Sequence, residues 1–332
     1  MNTNVLTEDT KAILLLCGVF GNDRTYKPLS LTEYGKLVRW LVDAKMRPRH
    51  LLRAESFSQA GVGAGINPER LKGLLSRGVL LGFALEAWQR DGIWVISRGD
   101  VQYPARFKKR LKHKAPPLLF GIGNPGLLVG GGLGIVGSRN VDGEGDLFAR
   151  HIAGLGASNG MPVVSGGARG VDQSAMNAAL EAGGVSIGVL ADSLLKRSLE
   201  RANRRALAEG RLLLLSPYHP QARFSVGGAM GRNKLIYALA DFGVVVSADY
   251  QKGGTWAGAE EELKRENPVP VFVRVGDRMP EGNRRLVDLG AIPWPKSPAP
   301  GRLAHQLGDL SARHQQPRPE KNRGLFDAVA LD

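Results

Sequence analysis

Three segments of this 332-residue chain set glycines beside arginine, serine or threonine in patterns suited to gripping an anion. The first is Gly137-Ser138-Arg139-Asn140. The second is Ser165-Gly166-Gly167-Ala168-Arg169-Gly170-Val171-Asp172, and the third is Gly253-Gly254-Thr255-Trp256-Ala257-Gly258-Ala259-Glu260-Glu261. Glycine lets the backbone approach a ligand closely, and N–H groups at a following helix start are donors to phosphate oxygens. The planar forks of Arg139 and Arg169 add fixed positive charge that matches such oxygens. No segment is Gly-x-Gly-x-x-Gly, and the Gly-Lys-Ser/Thr of a Walker loop is absent, so neither a standard dinucleotide site nor an ATPase loop is expected.

Each loop needs a strand before it and a helix after it. Residues 133–137, 162–166, 186–191, 212–216, 242–247 and 269–275 read as six short buried strands, with helical stretches between them such as 144–159. Apolar strands alternating with helices predict an α/β fold: a doubly wound, Rossmann-like parallel sheet covered on both faces. Ligands of such sheets bind at the carboxyl ends of the strands, where all three loops lie.

Ahead of this core, residues 1–95 read as a small helical N-terminal domain, with helix starts at Thr7, Ser30 and Asn67. The run from Ala60 to Ile66 reads as a glycine-rich turn between helices, of the helix-hairpin-helix kind. Residues 96–296 form the expected core, opened by a short strand at 93–96. Residues 297–332 form a polar, flexible tail by composition, with one weakly amphipathic stretch at 303–310.

Composition is globular, 43% hydrophobic and 23% charged, with a formal net charge of +14. The excess lies at the front: residues 1–115 hold 20 basic and 10 acidic side chains, the remainder 25 and 21. Arg106, Lys108, Lys109, Arg110, Lys112 and Lys114 crowd one short run. Such a balance points to a polyanionic partner. The single cysteine, Cys17, excludes an internal disulfide and suits a reducing compartment. No apolar run reaches the length of a membrane helix, and cytoplasmic placement is expected.

The ordered series Gly134-Ile135-Val136-Gly137-Ser138-Arg139-Asn140, then Val164 to Asp172, then Ala179-Leu180-Glu181-Ala182-Gly183-Gly184, Ser216-Pro217-Tyr218 and Gly231-Arg232-Asn233-Lys234-Leu235-Ile236 resembles the DprA/Smf DNA-processing family over about residues 95–275. The resemblance implies an extended Rossmann domain that binds single-stranded DNA through its phosphates, with no cofactor, no metal and no catalytic residue. It implies protection of incoming strands in natural transformation, assistance to a RecA-type recombinase, and a homodimer. Carried over by position, Gly137, Ser138 and Arg139 form one side of a phosphate pocket and Gly166, Gly167, Ala168 and Arg169 the other. Arg232, Asn233 and Lys234 form the basic segment beside it, and Gly254 and Thr255 the third loop. Phe224, Tyr237 and Trp256 are candidate base platforms, Trp256 foremost because its loop is glycine-rich.

Three departures mark the chain. The family's Gly-Ser-Leu-x-Thr-Ala is replaced by the third loop, which is similar to that of cytokinin-activating phosphoribohydrolases. That similarity opens an alternative: a nucleotide hydrolase using Glu260 or Glu261, or a nucleotide sensor. Residues 225–230 lack the usual Asn-Phe-Pro. The 36 residues from Ser297 are too few and too polar for the family's C-terminal winged helix.

Overall fold

The computed structural model describes residues 6–21, 25–53, 56–296, 298 and 301–315. Its front comprises helices α1 (Glu8–Cys17), α2 (Leu31–Asp43), α3 (Phe57–Ala64), α4 (Pro68–Leu75) and α5 (Gly78–Arg90). The expected side chains start three of them. Thr7 accepts from the Thr10 N–H, Ser30 and Glu33 close a reciprocal capping box, and Asn67 accepts from the Arg70 N–H. The buried Arg77 closes the other end of α1: its Nη2 donates to the carbonyls of Leu15 and Gly18, and its guanidinium lies 4.7 Å from the Phe20 ring centre.

The glycine run 60–66 is a correction. It is helical through Ala64, and the turn is confined to Gly65 (φ +66°) and the residues before the Asn67 cap. A Cβ on Gly63 would stand 2.0 Å from the Trp40 indole, so this glycine serves close packing of α3 on α2, not turn formation.

The chain continues through β1 (Trp94–Ser97), α6 (Ala105–Leu111), β2 (Leu118–Gly123), β3 (Leu133–Val136), α7 (Gly143–Ser158), β4 (Val163–Ser165), α8 (Val171–Glu181) and β5 (Ser186–Val189). After α9 (Leu194–Ser198) and α10 (Arg201–Ala208) come β6 (Leu212–Ser216), α11 (Val226–Leu239), β7 (Phe242–Val245) and α12 (Gly253–Leu263). The remaining elements are β8 (Val271–Val273), α13 (Glu281–Asp288), β9 (Ile292–Pro293) and α14 (Leu303–Gln315).

All strands join one sheet in the order β1-β2-β6-β5-β4-β3-β7-β8-β9. The six expected strands are β3 to β8, and every pairing among them is parallel. β1 and β2 extend one edge in antiparallel register, with Phe120 opposite Ser216, and β9 closes the other. Alternation sorts the core into two layers. Leu212 and Leu214 pack on the side of α7, α8 and the front helices, whereas Leu213 and Leu215 pack on the side of α6, α11, α12 and α13. The order of strands reverses between β3 and β7, so a crevice opens beyond their carboxyl ends.

The tail is the second correction. Residues 303–315 are helical, because Leu303 and Leu307 are fully buried against the first layer and the Leu303 N–H donates to Asn159 Oδ1 at 3.2 Å. Burial of two leucines, each contributing about 1.5–3 kcal/mol, outweighs a polar composition. Residues 316–332 lie outside the described residues. Among the described residues, no helix is long and apolar enough to cross a membrane.

Candidate nucleic-acid interface

The tips of β3 and β4 are locked together from below. The Ser138 N–H donates to Ser247 O beyond β7 at 2.9 Å, and the Val171 N–H at the start of α8 donates to Ser138 O at 3.3 Å. Arg169 Nη2 donates to Asn140 Oδ1 at 2.6 Å, which ties the first loop to the second. Gly166 has a strict reason to be glycine. A Cβ there would stand 1.6 Å from Arg232 Nη1 and 2.5 Å from Asp172 Oδ2.

α11 and α12 complete the enclosure. Ser225 caps α11 by accepting from the Gly228 N–H at 3.0 Å, and Tyr218 donates its hydroxyl proton to Gly228 O at the same distance. Asn233 Nδ2 donates to Gly254 O at 2.8 Å, pinning the first turn of α12 to α11. Together these elements bound a cleft of about 620 Å³ at the β3/β7 switch. Gly137, Ser138, Arg139, Ala168, Arg232, Asn233, Gly254 and Thr255 line it, so eight of the twelve expected residues converge there. Gly166 lies beneath the cleft against Arg232, and Gly167 (φ +64°) turns its carbonyl to Arg197 Nη2 at 3.3 Å. Arg169 is an exposed brace. Lys234 turns away: burial pulls its pKa down while Glu261, outside the cleft, opposes that shift.

The electrostatics centre on Arg232 and Asp172. Arg232 is only 5% exposed, and among the described residues its Nε and Nη1 have no hydrogen-bond partner. Burial pulls its pKa down, opposed by the charge of Asp172. The Asp172 carboxyl is pushed up by burial, opposed by Arg232 and by the amides of Ala168, Gly137 and Gly166. The Ala168 N–H therefore serves the internal carboxylate, reaching Oδ2 at 3.4 Å. The donors left for a ligand are Arg232, the exposed Arg139, Ser138, Lys252 and the first turn of α12. A buried charged donor without an acceptor costs more than the roughly 1–3 kcal/mol of a neutral one, and a bound anion removes that cost.

The aromatic candidates resolve differently from expectation. Tyr237 and Trp256 are 1% and 5% exposed and belong to the core, Trp256 standing edge-on to Tyr250. Phe224 is 49% exposed at the rim, with Arg139 4.9 Å above its ring centre and Val226 and Met230 beside it on the cleft wall. Glycine-rich surroundings mislead here, because Gly254 and Gly258 make room for Asn233 and not for a base. Glu260 and Glu261 pair with Lys264 and Arg265 along α12, at 2.8 and 3.1 Å, and neither lines the cleft. The basic run is partly internal. Arg106 pairs with Asp241 at 2.7 Å, Arg110 donates to the carbonyls of Tyr237, Ala238 and Ala240 at the end of α11, and Lys112 meets Glu266 at 3.1 Å.

Residues 94–297 match the family model described as DNA recombination-mediator protein A. DNA processing protein DprA of Bacillus subtilis (strain 168) is 30% identical over 213 residues, 62% of this chain and 70% of that protein. The X-ray structure of DNA processing protein A from Streptococcus pneumoniae superposes with a TM-score of 0.67 at 22% identity, covering 91% of this chain and 98% of that one. A structure of DNA processing protein A from Helicobacter pylori, reported for its single-stranded DNA binding mode, matches at TM-score 0.53 and 25% identity, covering 67% and 96%.

Proposed function

This chain belongs to the DNA recombination-mediator protein A family, and from that premise we propose that the cleft at the β3/β7 switch seats backbone phosphates of single-stranded DNA. The observation that carries the reading is the buried Arg232 guanidinium, with two nitrogens lacking acceptors among the described residues, on the floor of an open cleft. Arg139 and Lys252 add charge at the mouth, and the first turn of α12 adds backbone donors. Phosphate contacts of this kind are indifferent to base identity and sensitive to salt. Phe224, Val226 and Met230 supply an apolar wall for unstacked bases, which duplex DNA does not offer.

The protein binds and presents the strand without breaking a bond; the only free-standing carboxylates proposed for hydrolysis, Glu260 and Glu261, are spent on ion pairs outside the cleft. It acts in the cytoplasm as a homodimer that shields incoming strands and passes them to a RecA-type recombinase during transformation. Fluorescence anisotropy with a labelled oligothymidylate tests the central claim. Low-salt binding in preference to duplex is expected, with Arg139→Ala weakening it; equal affinity for duplex, or an indifferent Arg139→Ala, overturns it.

A further inference from the structure

Asp172 occupies an unusual place for a carboxylate in a site that takes anions. It sits in the first turn of α8, 6% exposed, at the edge of the cleft. Its Oδ2 and Arg232 Nη1 both lie against the Cα of Gly166, where a methyl group would collide with each. The carboxylate accepts from the Ala168 N–H at the β4 tip, yet among the described residues Arg232 Nε and Nη1 have no acceptor. The floor thus holds one buried negative and one buried positive charge, and two nitrogens of the positive one lack an acceptor among the described residues.

We propose that Asp172 is a proton-linked counter-anion of the cleft, so that seating a phosphate on Arg232 draws a proton onto the Asp172 carboxylate. The inference rests on the phosphate-binding reading above. Charged and titratable groups facing the pair from the surrounding elements are Arg139 after β3, Asp192 after β5, Tyr218 after β6 and Tyr237 on α11. Arg232 favours the ionised carboxylate, and an incoming phosphate opposes it as a like charge. Burial already disfavours ionised Asp172 in the free protein. A second anion a few ångströms away raises its proton affinity further, so the complex binds more protons than the free protein. By linkage, affinity for the strand then rises as pH falls.

The test is oligothymidylate affinity of the full chain from about pH 8 to pH 5.5, in wild type and Asp172→Asn. Asparagine keeps the shape and can still accept the Ala168 N–H. Wild type is expected to tighten on acidification, by up to about tenfold per pH unit for one linked proton. Asp172→Asn is expected to bind more tightly than wild type at pH 8 and to lose that slope. Parallel profiles for the two proteins, or an Asp172→Asn that is weaker throughout with an unchanged slope, overturn the proposal and leave phosphate binding standing. Wild-type protein with no affinity at any pH overturns phosphate binding itself. Calorimetry of wild type in buffers of different ionisation enthalpy serves if the variant fails to fold: net proton uptake supports the proposal, and none overturns it.

Discussion

At the residue scale, the site divides into side chains that hold the cleft and side chains that face a ligand. Asn140, Asn233 and Tyr218 spend their hydrogen bonds on neighbouring segments of the chain. Arg139, Arg232 and Phe224 do not: a guanidinium stacked on a ring keeps its in-plane donors, and half of the Phe224 surface stays open. Stacking of one base on Phe224 predicts that Phe224→Ala costs about 1–3 kcal/mol of single-strand affinity, with the salt slope unchanged. Titration of the variant at two ionic strengths checks both parts. A change in slope with no loss of affinity at low salt would mean that Phe224 acts only by steering Arg139. That Phe224 and not Trp256 carries the open ring is a tertiary fact. Both stand near glycines in sequence, and only the packing of α12 on α11 decides which one is covered. In sequence Asp172 merely closes the second glycine motif; its burial beside Arg232 depends on two segments sixty residues apart meeting at Gly166.

At the element scale, helix starts and parallel strands were readable because their determinants are local. Caps at Thr7, Ser30 and Asn67 and six short apolar runs need no distant partner. β2 and β9 are not readable and α14 shows only as a weakly amphipathic stretch at 303–310, since their stability comes from an edge or a groove supplied by the rest of the chain. The joint between α2 and α4 offers a test of the front region. Arg70 donates to Glu33 at 2.6 Å and to the carbonyls of Lys27 and Pro28, and this guanidinium holds the Glu33 carboxyl down from 4.5 to about 2. A depressed carboxyl contributes stability above its unfolded value and loses it as pH falls toward the folded one. Glu33→Gln is therefore expected to lower the Tm at pH 7, with the gap to wild type closing between about pH 4.5 and pH 2. Thermal melts across that range check it, and a gap that persists at the acid end would refute the ion-pair account.

At the scale of the whole molecule, net charge overstates the contact with a polyanion. Arg106, Arg110 and Lys112 are engaged with the chain itself, and Arg77 closes a helix. If the strand touches Arg139, Arg232 and Lys252, three phosphates are neutralised. The logarithmic salt dependence for a single strand is then about −2, far shallower than a +14 surface suggests. Equilibrium titrations between low and physiological salt measure it; a slope steeper than about −4 would place the basic front region on the strand as well.

The ring contacts Phe20–Trp88 at 6.3 Å and Trp88–Phe120 at 5.0 Å run from the front helices into β2, inside one apolar layer shared with β3, β4, β6 and β7. A tug on α5 is consequently a tug on the strand that flanks β6. Any protein that grips the front of this molecule therefore has a mechanical handle on its sheet, with no hinge of solvent between them to absorb the pull.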